Sequence, residues 1–111
     1  MPMYVPSKGD YVAVTFDPQS GHEQKGRRPA LVVSNDLFNR NTGLAIVCPI
    51  TNTRRDYPFH VPIEGDPEIT GVVMVEQVKS IDFRAREARR ISRATPAVLD
   101  AALALLDACI Y

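Results

Sequence analysis

Two adjacent arginines, Arg27 and Arg28, stand between a polar stretch and an apolar run. Before them lies Gly21-His22-Glu23-Gln24-Lys25-Gly26, in which two glycines bracket four polar residues. After them comes Pro29-Ala30-Leu31-Val32-Val33-Ser34, which reads as a buried strand. Proline lacks an N–H and suits the first residue of a strand. The pattern predicts a mobile polar loop that hands a guanidinium to the rigid mouth of a sheet. Binding and catalytic groups concentrate in such settings. A second polar stretch, Thr51-Asn52-Thr53-Arg54-Arg55-Asp56, directly follows another apolar run. A third is Glu76-Gln77-Val78-Lys79-Ser80, and Arg84 and Arg86 make a fourth. Arginine forks, a threonine hydroxyl, a glutamate and an amide can together hold a phosphodiester and stabilise charge that builds on its oxygens. No Cys/His cluster offers metal ligands, and no glycine-rich loop opens a helix to cradle a nucleotide. The plain alternative is that these charges are solvated surface, as most are. The order Glu-Gln, Gly, Arg-Arg-Pro and then strand is too particular for that reading.

These groups need a scaffold, and the pattern of the chain supplies one. The 111 residues fit one domain, residues 1–111, with one core. Strands are predicted over residues 11–16, 29–34, 44–50, 59–63, 72–75 and 78–83, with a short one near 90–92. Pro49 should sit at the edge or end of its strand. Residues 35–40 suit one or two helical turns capped by Ser34 or Asn35 and ended near Gly43. Thr95-Pro96 opens the one long helix, with threonine as cap and proline at the first helical position. Val98, Leu99, Ala102, Leu103, Leu106 and Ile110 recur at three and four residues, a core-facing stripe. Many short strands and one terminal helix predict a mainly β, small curved barrel with a helix on one side. Its site should be a shallow groove between loops or between subunits.

Thirteen basic residues balance thirteen acidic ones, so bulk charge does not define the partner. The arginines are clustered, however, and a local basic surface can exist on a neutral protein. Cys48 and Cys109 sit in apolar runs and both read as buried, which is compatible with a reducing compartment. The first residues carry neither a basic leader nor a long apolar stretch, so the expectation is a cytoplasmic protein without a membrane segment.

Together, Gly9-Asp10, Phe16-Asp17-Pro18, Glu23-Gln24, Gly26 to Ser34, Val47-Cys48-Pro49-Ile50-Thr51, Tyr57-Pro58-Phe59 and Gln77 to Arg86 resemble the MazF/PemK family. These are toxins of type II toxin–antitoxin modules, and the likeness covers nearly the whole chain. It implies an SH3-like barrel with a C-terminal helix, a homodimer, and cofactor- and metal-independent cleavage of single-stranded RNA at short sequences. The products it implies are a 2′,3′-cyclic phosphate and a 5′-hydroxyl. It also implies neutralisation by a cognate MazE-like antitoxin with a disordered acidic tail. Its catalytic arginine and threonine fall on Arg28 and Thr51, and its substrate-contacting loop residues fall on Glu23 and Gln24. Gln77, Lys79 and Ser80 match residues that line the RNA groove. Arg27, Asn52, Arg84 and Arg86 are further candidates for RNA contact. The chain departs from the family at His22, where a small polar residue is common, and at Asn52, where a second threonine or serine is common.

In the mechanism this implies, the 2′-hydroxyl attacks phosphorus in line with the leaving 5′-oxygen. Arg28 and Thr51 donate to the oxygens that gain charge. Arginine, with a pKa above about 12, suits protonating the leaving oxygen better than taking a proton. The base stays open between Glu23 and His22, which has the better intrinsic pKa. His60 lies outside every motif and reads as a surface residue. Two other classes compete. A non-enzymatic toxin like CcdB would bind a topoisomerase and leave RNA intact. A plain RNA-binding module would favour exposed aromatics for stacking, and the chain has no tryptophan.

Overall fold

The computed structural model describes residues 4–15, 27–53 and 57–111. Seven strands, all paired antiparallel, form one sheet: β1 (Asp10–Val14), β2 (Arg28–Val32), β3 (Leu44–Thr51), β4 (His60–Pro62), β5 (Val72–Met74), β6 (Lys79–Asp82) and β7 (Arg89–Arg93). The strand order is β4-β5-β3-β2-β1-β7, with β6 also on β3. The sheet is curved but open, so the expected barrel is realised without closure: β4 and β7 end the strand order.

β3 is the axis. Along one edge it pairs with β2. Along the other it pairs with β6 through residues 44–47 and with β5 through residues 50 and 51. Pro49, expected at the edge or end of its strand, lies two residues before the end of β3. It falls in the gap between those two partners, a stretch where a missing N–H is tolerated.

Alternation divides the apolar residues between the two faces. On one face Tyr11, Leu31, Cys48, Ile50 and Val73 pack with Val98 and Ala102 of the C-terminal helix α2 (Pro96–Ile110). On the other Val12, Val14, Ala30, Val32, Ala45, Val47, Ile81 and Phe83 form a second cluster. Burying a side chain such as Leu31 completely contributes about 1.5–3 kcal/mol. The Thr95 hydroxyl caps α2 by accepting from the Val98 N–H, with proline at the helix start, as expected. The helix stripe holds through Leu106, but Ile110, on the last turn of the helix, is 66% exposed. Cys48 is buried as expected, while Cys109, on that same last turn, is exposed. The short helix α1 (Asp36–Thr42) has Asn35 as its cap and Gly43 in the left-handed conformation at its end.

Buried polar groups tie the termini of the sheet together. Asp10 accepts from the Tyr4 hydroxyl at 2.5 Å, the Ser7 N–H at 3.1 Å, Arg90 at 3.4 Å and Arg93 at 3.2 Å. Burial and then the Asp10 carboxylate push the Tyr4 phenol far above its ordinary pKa. Asn39 donates to the Pro6 carbonyl at 2.7 Å, which anchors α1 to the N-terminal segment.

Candidate active site

The β2·β3 register sets Ala30 opposite Pro49, Leu31 opposite Cys48 and Val32 opposite Val47. Carried two residues further, it sets Arg28, the first residue of β2, opposite Thr51, the last of β3. Alternation puts both side chains on the face that carries Ala30 and Val47. Lys79, opposite Val47 on β6, falls on that face too. One sheet face thus carries a guanidinium and a hydroxyl at opposed strand ends, with an ammonium four residues further along β3, about 13 Å away.

The Thr51 hydroxyl is oriented from below. Its Oγ1 accepts from the Thr53 N–H at 3.2 Å, which engages an acceptor site and turns the O–H hydrogen elsewhere. Asn52 accepts the Thr70 hydroxyl at 3.0 Å. Gly71 backs the same corner, with φ +116 and space so tight that a Cβ would stand 2.4 Å from the Thr51 carbonyl oxygen. The Gly71 carbonyl accepts from Ile63 N–H at 3.0 Å, so the corner is also tied to the end of β4. Sequence reasoning did not single out Gly71. A lone glycine in a polar stretch signals a turn, and the close approach appears only once β5 is laid beside β3.

Arg27 faces away from Arg28, as alternation predicts, and its two terminal nitrogens bond to the protein. It donates to the Ala13 carbonyl at 3.0 Å, the Arg86 carbonyl at 3.4 Å, the Glu87 carbonyl and the Thr15 hydroxyl at 3.5 Å. The Glu87 carboxylate stands 3.8 Å away. Arg86 donates in turn to the Thr15 carbonyl at 3.1 Å.

Gln77 is exposed in the 3₁₀ turn Val75–Gln77 that joins β5 to β6. That turn is braced by His60, which departs from the surface reading: its side chain is 5% exposed and its Nε2 lies 3.0 Å from Glu76 Oε2. The cause is strand pairing, which sets His60 against Met74 at the root of the turn. The Tyr57 ring lies against His60, with centroids 4.8 Å apart. Ser80 is exposed on β6 opposite Ile46. Arg84 is not brought to the Arg28–Thr51 corner. It lines a cleft of about 480 Å³ with Thr42, Gly43, Leu44, Asp82 and Ala85, at the opposite end of β3. Seven residues of strand rise separate the two ends, about 23 Å. His22, Glu23, Gln24, Arg54 and Arg55 lie outside the described residues. Among the described residues no group of three or more His, Cys, Asp or Glu could hold a metal ion, and no helix is long and apolar enough to cross a membrane.

A small, curved antiparallel sheet with one C-terminal helix thus presents Arg28 and Thr51 at adjoining strand ends. Residues 7–110 match the family model of the PemK-like, MazF-like toxin of type II toxin-antitoxin systems, and the chain belongs to that family. It is 41% identical over 107 residues to the endoribonuclease toxin MazF of Escherichia coli K12, covering 96% of each chain. It is 47% identical over 110 residues to the endoribonuclease toxin ChpB of the same strain, covering 93% of this chain and 92% of that one. Among solved structures, a MazE-MazF crystal structure (Form-II) from Deinococcus radiodurans superposes with a TM-score of 0.86 at 34% identity, covering 97% of each chain.

Proposed function

We propose that this protein is a toxin endoribonuclease that cleaves single-stranded RNA at short sequences and is silenced by a cognate MazE-like antitoxin. The observation that carries the reading is the register that sets Arg28 opposite Thr51 on one sheet face, in a chain of this family. Arg28 binds the scissile phosphate and donates to the oxygens that gain charge as the 2′-hydroxyl attacks. Thr51 adds a donor whose oxygen is engaged by the Thr53 N–H. Each such donor is worth on the order of 100- to 1,000-fold in rate. The phosphodiester's charge is met by arginine, so the chemistry needs no metal. Lys79, Ser80, Gln77 and Asn52 carry the flanking RNA along the same strands, and Arg84 takes a more distant phosphate. Glu23 and Gln24 contact the substrate from the preceding loop, and Glu23 or His22 takes the first proton. The whole of residues 1–111 acts as one domain, as a homodimer, in the cytoplasm.

The test is incubation with a mixed single-stranded RNA pool in EDTA, with the ends mapped. The expected products carry a 2′,3′-cyclic phosphate and a 5′-hydroxyl, and a substrate with deoxyribose 5′ to the break survives. Cutting of that deoxy substrate would remove the internal nucleophile. RNA left intact by the folded protein would favour a CcdB-like toxin that binds a topoisomerase.

A further inference from the structure

Arg27 stands beside Arg28, and its described partners are backbone and side-chain oxygens of the protein itself. Its guanidinium sits in a cup of oxygens from two separate segments. Ala13 and Thr15 come from the end of β1, and Arg86 and Glu87 come from the turn between β6 and β7. Two further bonds close the same junction: Thr15 N–H donates to the Arg86 carbonyl at 3.2 Å, and Arg86 donates back to the Thr15 carbonyl at 3.1 Å. Glu87 is the one described non-glycine residue with positive φ, at 55°. Its carbonyl is nevertheless held toward Arg27.

The position of this cup matters. Val14 opposite Arg28 is the last rung of the β1·β2 ladder. Strand ends fray, since beyond the last rung nothing opposes opening. Arg27 stands one residue outside that rung and bonds across β1 to the far turn. Its guanidinium, planar and five-donor, matches several carbonyls at once in a way a lysine ammonium cannot.

We propose that Arg27 is a positioning residue: a clasp that takes the place of the missing next rung and holds Arg28 in its catalytic direction. The clasp also draws one of two adjacent positive charges to the opposite side of the strand. Of the two adjacent arginines, only Arg28 is then left to meet the phosphate. This inference rests on the ribonuclease reading, and it moves Arg27 from the RNA-contacting group to the support beneath it.

The experiment uses the full chain and compares wild type with Arg27→Ala, Arg27→Lys and Arg28→Ala. Three measurements are made: steady-state cleavage, thermal melting, and the salt dependence of binding to a non-cleavable 2′-deoxy analogue. Wild-type cleavage that Arg28→Ala abolishes establishes the underlying reading. On that footing Arg27→Ala should lower kcat by one to two orders of magnitude, about the loss expected of a displacement near 1 Å, with KM little changed. Arg27→Lys should fall between. Added guanidinium at millimolar concentration should refill the cup and restore part of the kcat of Arg27→Ala, but none of that of Arg28→Ala. The salt slope of RNA binding should be unaltered in Arg27→Ala. A slope reduced by about 0.7, the value for one lost single-strand phosphate contact, would make Arg27 an RNA contact and overturn the proposal. Unchanged kcat in Arg27→Ala would overturn it as well. If Arg27→Ala fails to fold, Arg27→Lys decides by the same split between kcat and KM. If wild type does not cleave RNA, the ribonuclease reading fails. The clasp is then judged by the exchange of the Arg27 guanidinium protons, which must be slower than that of Arg28.

Discussion

Gly71 gives the sharpest test of how the Thr51 corner is built. An added Cβ would meet the Thr51 carbonyl oxygen at 2.4 Å and the Asn52 side-chain oxygen at 3.0 Å. Carbon and carbonyl oxygen rest comfortably at about 3.3 Å, so Gly71→Ala must drive the two strands apart by roughly 0.9 Å. A misplacement near 1 Å in a catalytic arrangement costs on the order of 100-fold in rate. The φ of +116 adds about 1–3 kcal/mol of backbone strain for alanine. At about 4–8 °C per kcal/mol for a domain of this size, melting should fall by roughly 4 to 24 °C. The assay is steady-state cleavage of a fluorogenic RNA well below the lowered melting point, with circular dichroism to confirm folding. The expected result is kcat down about 100-fold with KM nearly constant, because Arg28 and Lys79 still hold phosphate. Gly65→Ala is the control. It carries similar strain, φ +79, but its Cβ would meet only the Thr95 methyl at 3.2 Å, so it should lose stability and keep kcat. A folded Gly71→Ala protein that cuts RNA at the wild-type rate would refute the account of the corner.

Arg28→Ala should abolish cleavage at unchanged melting temperature, and Thr51→Val should lose about 100- to 1,000-fold in kcat while Thr51→Ser retains most of it. Should Thr51→Val stay active, the hydroxyl is not a donor to the reacting phosphate. Alkali should weaken the fold through two buried groups. Burial pushes the Cys48 thiol from 9.0 up to about 12, and burial followed by Asp66 pushes the Tyr11 phenol from 10.0 to about 12. Both are raised, so their contribution is complete below pH 9 and is lost as pH climbs from 9 toward 12. Melting temperatures across that range should fall, with a shallower slope for Cys48→Ala, and an identical slope would remove Cys48 from the explanation. A peptide from the acidic tail of the cognate antitoxin should compete with a non-cleavable RNA and lose affinity as salt rises, since exposed charge pairs are screened over about 8 Å at physiological ionic strength. Full occupancy of one dimer by both ligands would place the antitoxin elsewhere.

The parts of this molecule that were legible beforehand are those governed by short-range pattern. Alternation and β-branched runs located β1, β2 and β3, and Thr95-Pro96 marked the start of α2 because capping is a local matter. The pairing of Arg28 with Thr51 was reachable only through family likeness, since register between strands separated by α1 is decided by packing. His60 was misread because its burial depends on strand pairing with Met74, fourteen residues away in the chain. Gly71 and the Arg27 clasp share that character: each is defined by a neighbour that only the folded sheet supplies. The position of Pro49 has a related basis. A strand that changes partners midway leaves room for a proline inside it, and nothing local announces the change.

The dependence of β3 on late partners has a consequence for synthesis. β2, α1 and β3 are contiguous and can pair soon after they leave the ribosome. The second edge of β3 has to wait for β5 and β6, and β1 has to wait for β7, whose residues come from the far end of the chain. Long-range pairings of this kind form slowly and late. Thr51 therefore gains its backing from Gly71, and Arg27 its oxygens from Arg86 and Glu87, only after most of the chain has been made. The corner that carries Arg28 and Thr51 is thus complete only once the late strands have joined the sheet.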